Sequence, residues 1–304
     1  MKDPSSRSLL MGALLLLLGV LPNGPAAALD EPAPVEATFV GSEACADCHD
    51  TAETLVGTPH GSVFFEEKSG HGCESCHGPG SIHVDDPESY SMRLTDRTPE
   101  ERSATCQSCH SGREQFFWTG GTHEARGLSC LSCHSVHSPQ SVAAQLQEED
   151  VKEQCYTCHK EVRAEGWKRS HHPVREGRIT CTDCHNPHGS TTESMIREAS
   201  INDQCYTCHA EKRGPYLWEH PPVRESCTNC HQAHGSNHSK LKIAEVPYLC
   251  QRCHANTRHP GTLYEGSAVV GGSGESNRVI NRACLNCHTA VHGSNHPSSP
   301  YLSH

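Results

Sequence analysis

Hydrophobic positions form a single long run in this chain, close to the amino terminus. Lys2 and Arg7 precede an apolar stretch over residues 9–21, and three alanines occupy positions 26–28. A basic start, a short apolar core and a small-residue site are typical of a secretory signal peptide. A membrane anchor is the alternative, but a spanning helix needs about 20 apolar residues. We therefore predict that residues 1–28 are a signal peptide, cleaved after Ala28, and that the mature chain is exported.

Beyond residue 28, hydrophobic residues follow neither the helical nor the strand period over any long stretch. The 19 prolines and 25 glycines are spread throughout and interrupt regular elements. Short helices are predicted at 148–162, 204–213 and 244–255, where cysteine motifs would lie on a helical turn. The pattern therefore predicts a mostly irregular fold with short α-helices, without a sheet or a large helical bundle.

The composition leaves little material for an ordinary apolar core. Hydrophobic residues make up 34% of the 304 residues, and the chain contains only five Phe and three Trp. A non-protein group must therefore fill the interior. The formal charge is −11, and Lys and Arg are scattered rather than clustered, so the chain lacks the basic surface that binds nucleic acid. We expect no nucleic-acid partner.

Every cysteine belongs to a Cys-x-x-Cys-His motif, and the motif occurs ten times. The two thiols of such a motif add to the vinyl groups of one haem, and the adjacent histidine becomes the proximal iron ligand. Disulfide bonds and structural zinc sites are the alternatives. A zinc site normally joins two cysteine pairs, or one pair and two histidines. Here all 20 cysteines lie in motifs that each carry a histidine directly after the second cysteine. We predict ten covalent haem c groups, no catalytic residues, and an elongated multihaem cytochrome c in which haems replace the core.

The predicted haem-attachment residues are Cys45, Cys48, Cys73, Cys76, Cys106, Cys109, Cys130, Cys133, Cys155, Cys158, Cys181, Cys184, Cys205, Cys208, Cys227, Cys230, Cys250, Cys253, Cys284 and Cys287. The predicted proximal ligands are His49, His77, His110, His134, His159, His185, His209, His231, His254 and His288. Residues 29–44 form a predicted N-terminal extension, residues 45–159 an N-terminal five-haem half and residues 160–304 a C-terminal five-haem half.

The remaining histidines are numerous enough to supply a second axial ligand to every iron. Of 25 histidines, ten are proximal, which leaves 15. Only Met92 and Met195 follow the signal segment, so at most two sites could use His/Met ligation. We therefore expect mostly bis-histidine haems, with no iron that needs an open sixth position.

An internal repeat selects ten of these histidines. The segments 154–159 and 204–209 match at an offset of 50, and each repeat unit holds two motifs and two extra histidines. The alignment places His171 rather than His172 opposite His220. We expect the histidine between the two motifs to serve the second haem, and the one after them the first. The predicted distal ligands are His60, His83, His123, His137, His171, His188, His220, His234, His259 and His292, and the predicted loop residues are His71, His172, His238, His296 and His304.

Several segments of the chain resemble the MtrA/DmsE family of periplasmic decahaem cytochromes c. They include residues 76–83, 121–124, 130–134, both Gln-Cys-Tyr-Thr-Cys-His units and residues 250–256. The resemblance implies a haem wire inside an outer-membrane β-barrel porin. Its implied partners are periplasmic or inner-membrane cytochromes on one side and a cell-surface multihaem cytochrome or reductase on the other. The implied location is the periplasm, in association with the outer membrane.

Two other functions remain open at this stage. A freely diffusing or filament-forming electron carrier would share the motifs, and a filament would use a distal histidine donated between subunits. A multihaem reductase would need an open haem, which nitrite reductases typically mark with Cys-x-x-Cys-Lys, and no lysine follows any of the ten pairs here. Electron transfer without catalysis is the expected function.

Overall fold

The computed structural model describes residues 36–66, 70–141, 144–254, 283–297 and 300–302. The chain divides into two units, Met1–Ala37 and Thr38–His304, and all the cysteine motifs belong to the second. The predicted signal peptide, His259 and His304 lie outside the described residues. In the described ranges, no helix combines the length and the apolar character needed to cross a membrane.

The regular elements are all short. The α-helices of the described residues are α1 (Ser42–Ala46), α2 (Pro59–Gly61), α3 (Glu74–His77), α4 (Ser81–Asp85), α5 (Pro99–Gln107), α6 (Val151–Tyr156), α7 (Lys160–Glu165), α8 (Ile201–Tyr206), α9 (Pro221–Glu225) and α10 (Tyr248–Gln251). A π-helix spans Ser62–Glu66, and 3-10 helices span Asp50–Leu55, Leu94–Asp96, Arg113–Gln115, Glu124–Arg126, Cys130–Ser132, Cys181–Asp183, Ala210–Lys212, Cys227–Asn229, Ser239–Leu241 and Cys284–Asn286. Between described residues, β-pairing is limited to isolated bridges. The predicted fold class is confirmed.

Two kinds of cysteine motif alternate along the chain. The first, third, fifth, seventh and ninth motifs begin in an α-helix. Three of these helices start at a polar cap: Thr98, Asp150 and Ser200 each accept a hydrogen bond from a main-chain N–H three residues later. The fourth, sixth, eighth and tenth motifs begin in a 3-10 helix. The second lies in α3, with Cys73 at the N-cap, so the alternation starts at the third motif. Local capping chemistry therefore presents successive motifs in two different backbone settings.

The predicted helix at 148–162 is wrong as a single element. The structure has α6 and α7 instead, and the motif histidine His159 lies between them with φ −86° and ψ 59°. Its main-chain N–H still donates to the Cys155 carbonyl at 2.9 Å, after which the chain turns out of the helix. The other two predicted helices are shorter than expected: α8 ends at Tyr206, and α10 spans four residues. The helical segment therefore breaks at the motif histidine.

Across the described residues, protein side chains do not build a continuous apolar core. Among the described residues, the buried hydrophobic side chains are Leu55, Trp118, Leu146 and Tyr156. A larger set of buried residues is polar. The expectation from composition, that something other than apolar side chains fills the interior, agrees with this distribution.

Candidate haem sites

Nine of the ten motif histidines face a second histidine ring across a gap. The centroid separations run from 5.9 to 6.3 Å. The pairs are His49–His83, His77–His137, His110–His60, His134–His188, His159–His123, His185–His234, His209–His172, His231–His292 and His254–His220. The tenth motif histidine, His288, bonds to the Tyr301 carbonyl at 2.7 Å, and its predicted partner His259 lies outside the described residues.

The width of these gaps fits one iron atom between two imidazoles. A metal–imidazole bond is about 2 Å, and the ring nitrogen lies ~1 Å from the ring centre, so two axial histidines place their centroids about 6 Å apart. Rings in direct contact are much closer, as in the stack of Phe39 on His71 at 3.8 Å. With two cysteines beside each motif histidine, the donor set is the one that covalent haem c requires.

The cysteines of successive motifs meet in chain order. The first cysteines of paired motifs are close neighbours in the pairs Cys45–Cys73, Cys106–Cys130, Cys155–Cys181, Cys205–Cys227 and Cys250–Cys284. The second cysteines are electrostatic neighbours in the pairs Cys76–Cys109, Cys133–Cys158, Cys184–Cys208 and Cys230–Cys253. Each attachment point therefore adjoins the one before it and the one after it, from the first motif to the tenth.

Eight of the nine ring pairs connect neighbouring repeat units, and one lies within the first unit. His83 faces His49, as the predicted exchange within a unit required. His60, however, faces His110 of the next unit, and His188 faces His134 of the preceding unit. The predicted exchange is therefore wrong beyond the first motif. The second, third and fourth units each place one extra histidine opposite a motif of the preceding unit and the other opposite a motif of the following unit.

His172, and not His171, is the ring that faces a motif histidine. Its centroid lies 6.3 Å from that of His209, whereas His171 is held by the Lys168 carbonyl at 2.8 Å and by Glu176 at 3.1 Å. The backbone register explains the correction. Ser170 pairs with Ser236, and Trp218 pairs with Ser294. His172 follows Ser170 by two positions, and His220 follows Trp218 by two positions. His172, and not His171, is therefore the structural equivalent of His220.

The spacing to the following motif is a sequence signal that favoured His172. His123 and His220 each precede the next motif by seven residues, whereas His172 precedes its motif by nine and His171 by ten.

Hydrogen bonds link the histidines that face the motif histidines to one another in pairs. The Nδ1 atoms of three of these histidines bond to main-chain carbonyls: His123 to Pro187 at 2.7 Å, His172 to Ala233 at 2.7 Å and His220 to Val291 at 2.9 Å. Each of these carbonyl residues comes directly before another distal candidate, namely His188, His234 or His292. The partners of the fourth and fifth motifs, of the sixth and seventh, and of the eighth and ninth are therefore held in common local structures.

A glycine follows each of His188, His234 and His292, and the packing around it leaves no room for a side chain. A Cβ atom on Gly235 would lie 1.9 Å from the Glu165 carbonyl oxygen, and one on Gly189 would lie 2.3 Å from that of Phe117. On Gly293 the Cβ would lie 2.2 Å from the Tyr216 ring. The close backbone approach thus depends on the absence of a side chain at this position.

The motif histidines differ in how their rings are fixed. Those of the even-numbered motifs are half-buried, and their Nδ1 atoms bond to carbonyls: His77 to Met92, His134 to Ala144, His185 to Ser194, His231 to Lys240 and His288 to Tyr301, at 2.7 to 2.9 Å. Those of the odd-numbered motifs are exposed. A carbonyl bonded to Nδ1 fixes the tautomer and leaves Nε2 free to bind metal.

Burial favours the neutral, metal-binding form of several distal candidates. It lowers the pKa of His60, His137, His188, His234 and His292. A neutral imidazole offers its lone pair to iron without first losing a proton. These five rings are therefore prepared for ligation near neutral pH.

The chain matches known multihaem proteins over nearly its whole length. The family model for the doubled CXXCH motif matches residues 171–214 and 220–259. Cytochrome c-type protein NrfB-like matches residues 73–158, and cytochrome c554 and c-prime matches residues 27–78. Multiheme cytochrome MtrA of Shewanella baltica (strain OS185) is 37% identical over 311 residues, which covers 95% of this chain and 93% of that protein. The chain therefore belongs to the MtrA family of multihaem cytochromes c, electron-transfer proteins that carry covalently attached haem c.

Proposed function

We propose that this protein carries electrons along ten haems that follow one another in chain order. The observation that carries the proposal is the alternating contact of cysteines between each motif and the next. A haem c supplies reversible one-electron chemistry at its iron. The protein supplies the sequence of attachment points, and therefore the order in which the groups can exchange electrons.

The ligands follow from the ring pairs. We assign the second axial position of the first nine haems to His83, His137, His60, His188, His123, His234, His172, His292 and His220, in motif order. For the tenth haem, His259 remains the predicted ligand. Bis-histidine ligation at every iron leaves no position for a small substrate, which supports electron transfer over reductase chemistry.

The location follows from the amino terminus and from the number of haems. Residues 1–28 support export to the periplasm. Ten haems spaced on the order of a nanometre would exceed the ~40–45 Å of a bilayer with its headgroups. We infer that an outer-membrane β-barrel porin surrounds the protein. Electrons would then pass between periplasmic or inner-membrane cytochromes and a cell-surface multihaem cytochrome or reductase.

The test is reconstitution in liposomes with the barrel protein that co-purifies from outer membranes. Liposomes that enclose a reduced dye should transfer electrons to an external acceptor only when both proteins are present. The control is the barrel alone, and a second control is the cytochrome alone. If no barrel co-purifies and the protein reduces external acceptors from free solution, a diffusing carrier replaces the conduit. Nitrite turnover at catalytic rates would instead indicate a reductase.

A further inference from the structure

Three distal histidines occupy equivalent positions but face different groups at Nδ1. His188, His234 and His292 each precede a Gly-Ser pair. The Nδ1 of His188 is buried, without a hydrogen-bond partner among the described residues. The Nδ1 of His234 faces the Glu165 carboxylate, with 3.5 Å between the nitrogen and Oε2. Burial lowers the pKa of His292, and among the charges around the ring that of Lys212 has the largest effect and lowers it further. One repeated structure thus gives three electrostatic environments.

Glu165 is held in place by contacts on its other oxygen. It is the last residue of α7, and its Oε1 accepts from Lys168 Nζ at 3.0 Å and from Gln232 Nε2 at 3.1 Å. Oε2 is therefore left to face the imidazole. The ammonium of Lys168, bonded to Oε1, stabilises the charged form of this carboxyl, so the group is ionised at neutral pH.

The corresponding acid beside His188 is already neutralised. Glu114 is the acidic group that acts electrostatically on that ring, and its Oε1 accepts from Arg197 at 2.5 Å. Its field at His188 is therefore largely cancelled by the guanidinium. Lys168 offsets part of the Glu165 charge in the same way, but it bonds to the oxygen that points away from His234.

We propose that Glu165 lowers the reduction potential of the haem held by His185 and His234, relative to the haem held by His134 and His188. A carboxylate near Nδ1 of an iron-bound imidazole increases the basicity of that ligand. The one-electron reduction of ferric to ferrous iron removes one positive charge, so a neighbouring negative charge favours the ferric form. The proposal rests on the ligand assignments made under the proposed function.

The test is the variant Glu165→Gln, which keeps the size of the side chain and an amide oxygen for hydrogen bonding but removes the charge. Glu161→Gln is the matched control, because Glu161 lies on the same helix and is exposed. Potentiometric titration followed by electron paramagnetic resonance resolves individual low-spin haems. One haem should shift to a higher midpoint potential in E165Q, and none should shift in E161Q. Intact mass should show ten haems in both variants.

A third variant, His234→Met, separates the two hypotheses. If His234 is a ligand, H234M removes one bis-histidine signal, and the signal that shifts in E165Q must be that same one. If H234M removes a signal but E165Q shifts none, or shifts a different one, the role of Glu165 is overturned and the ligand assignment stands. If H234M leaves every signal unchanged, the assignment itself is wrong, and the role of Glu165 is wrong with it.

Discussion

The carboxylate of Glu74 fastens the amino-terminal segment to the second haem motif. Its side chain is almost fully buried, with 3% of the residue surface exposed. Oε1 accepts from the N–H of Val40 at 3.0 Å and of Gly80 at 2.7 Å, and Oε2 accepts from Gly41 at 2.9 Å. The segment leads directly into α1, which carries Cys45. We therefore expect Glu74 to control the local stability of the first haem site.

Replacing Glu74 with Gln removes the charge and one acceptor oxygen. A hydrogen bond to a charged group contributes about 1.5–3 kcal/mol and a neutral one about 0.5–1.5, so weakening two bonds costs about 1 kcal/mol each. The third bond is lost, but Gly41 is exposed and its N–H can turn to water. The net loss is about 2–3 kcal/mol, which raises the local opening equilibrium roughly 30- to 140-fold.

Hydrogen exchange measured by mass spectrometry on the haem-loaded protein reports this opening. Amides of residues 38–46 should lose protection in E74Q by that factor, whereas the exposed residue Glu43, changed to Gln, should have no effect. Protection within twofold of wild type would refute the reasoning.

Acid should reproduce the effect of the variant. Burial raises the pKa of the Glu74 carboxyl, but the three N–H donors lower it more, so the folded pKa lies below the ordinary value. The stabilisation is then complete above the unfolded pKa and is lost as the pH falls through the folded one. Wild-type protection, corrected for intrinsic exchange rates, should fall in acid, and that of E74Q should not.

Three other predictions follow from the haem sites. Gly235→Ala should perturb the spectra or potentials of two haems at once, those of the sixth and seventh motifs, because the new Cβ would lie 1.9 Å from the Glu165 carbonyl oxygen. The control is Gly112→Ala, which has open space around it and should perturb no haem. His172→Met should raise the potential of one haem, and His171→Gln should raise none; the opposite result in potentiometry would restore the sequence alignment. The intact mass of the mature protein should exceed that of the polypeptide by ten haems, and nine or fewer in a fully matured sample would contradict the motif assignment.

The haem-attachment motifs and the shortage of apolar side chains could be recognised from the sequence alone. Both cysteines and the proximal histidine of each haem are local, so spacing alone identified them, and the shortage of apolar residues indicated that another group fills the interior. Short helices were also predictable, because their caps, such as Thr98 and Asp150, are neighbours in sequence. The break at His159 was not, because helix propensity does not register the turn at the motif histidine.

Only the tertiary structure decided which distal histidine faces which motif. His188 reaches back to His134, and His292 to His231, over more than fifty residues. Such pairings depend on backbone contacts between repeat units, and those contacts are nearly identical from unit to unit, so local sequence cannot rank them. Between His171 and His172 the choice is made by a single bridge register at Ser170. Moving one residue along an extended segment turns the side chain to the opposite face, and this is why the alignment selected His171 whereas the ring that faces His209 is that of His172.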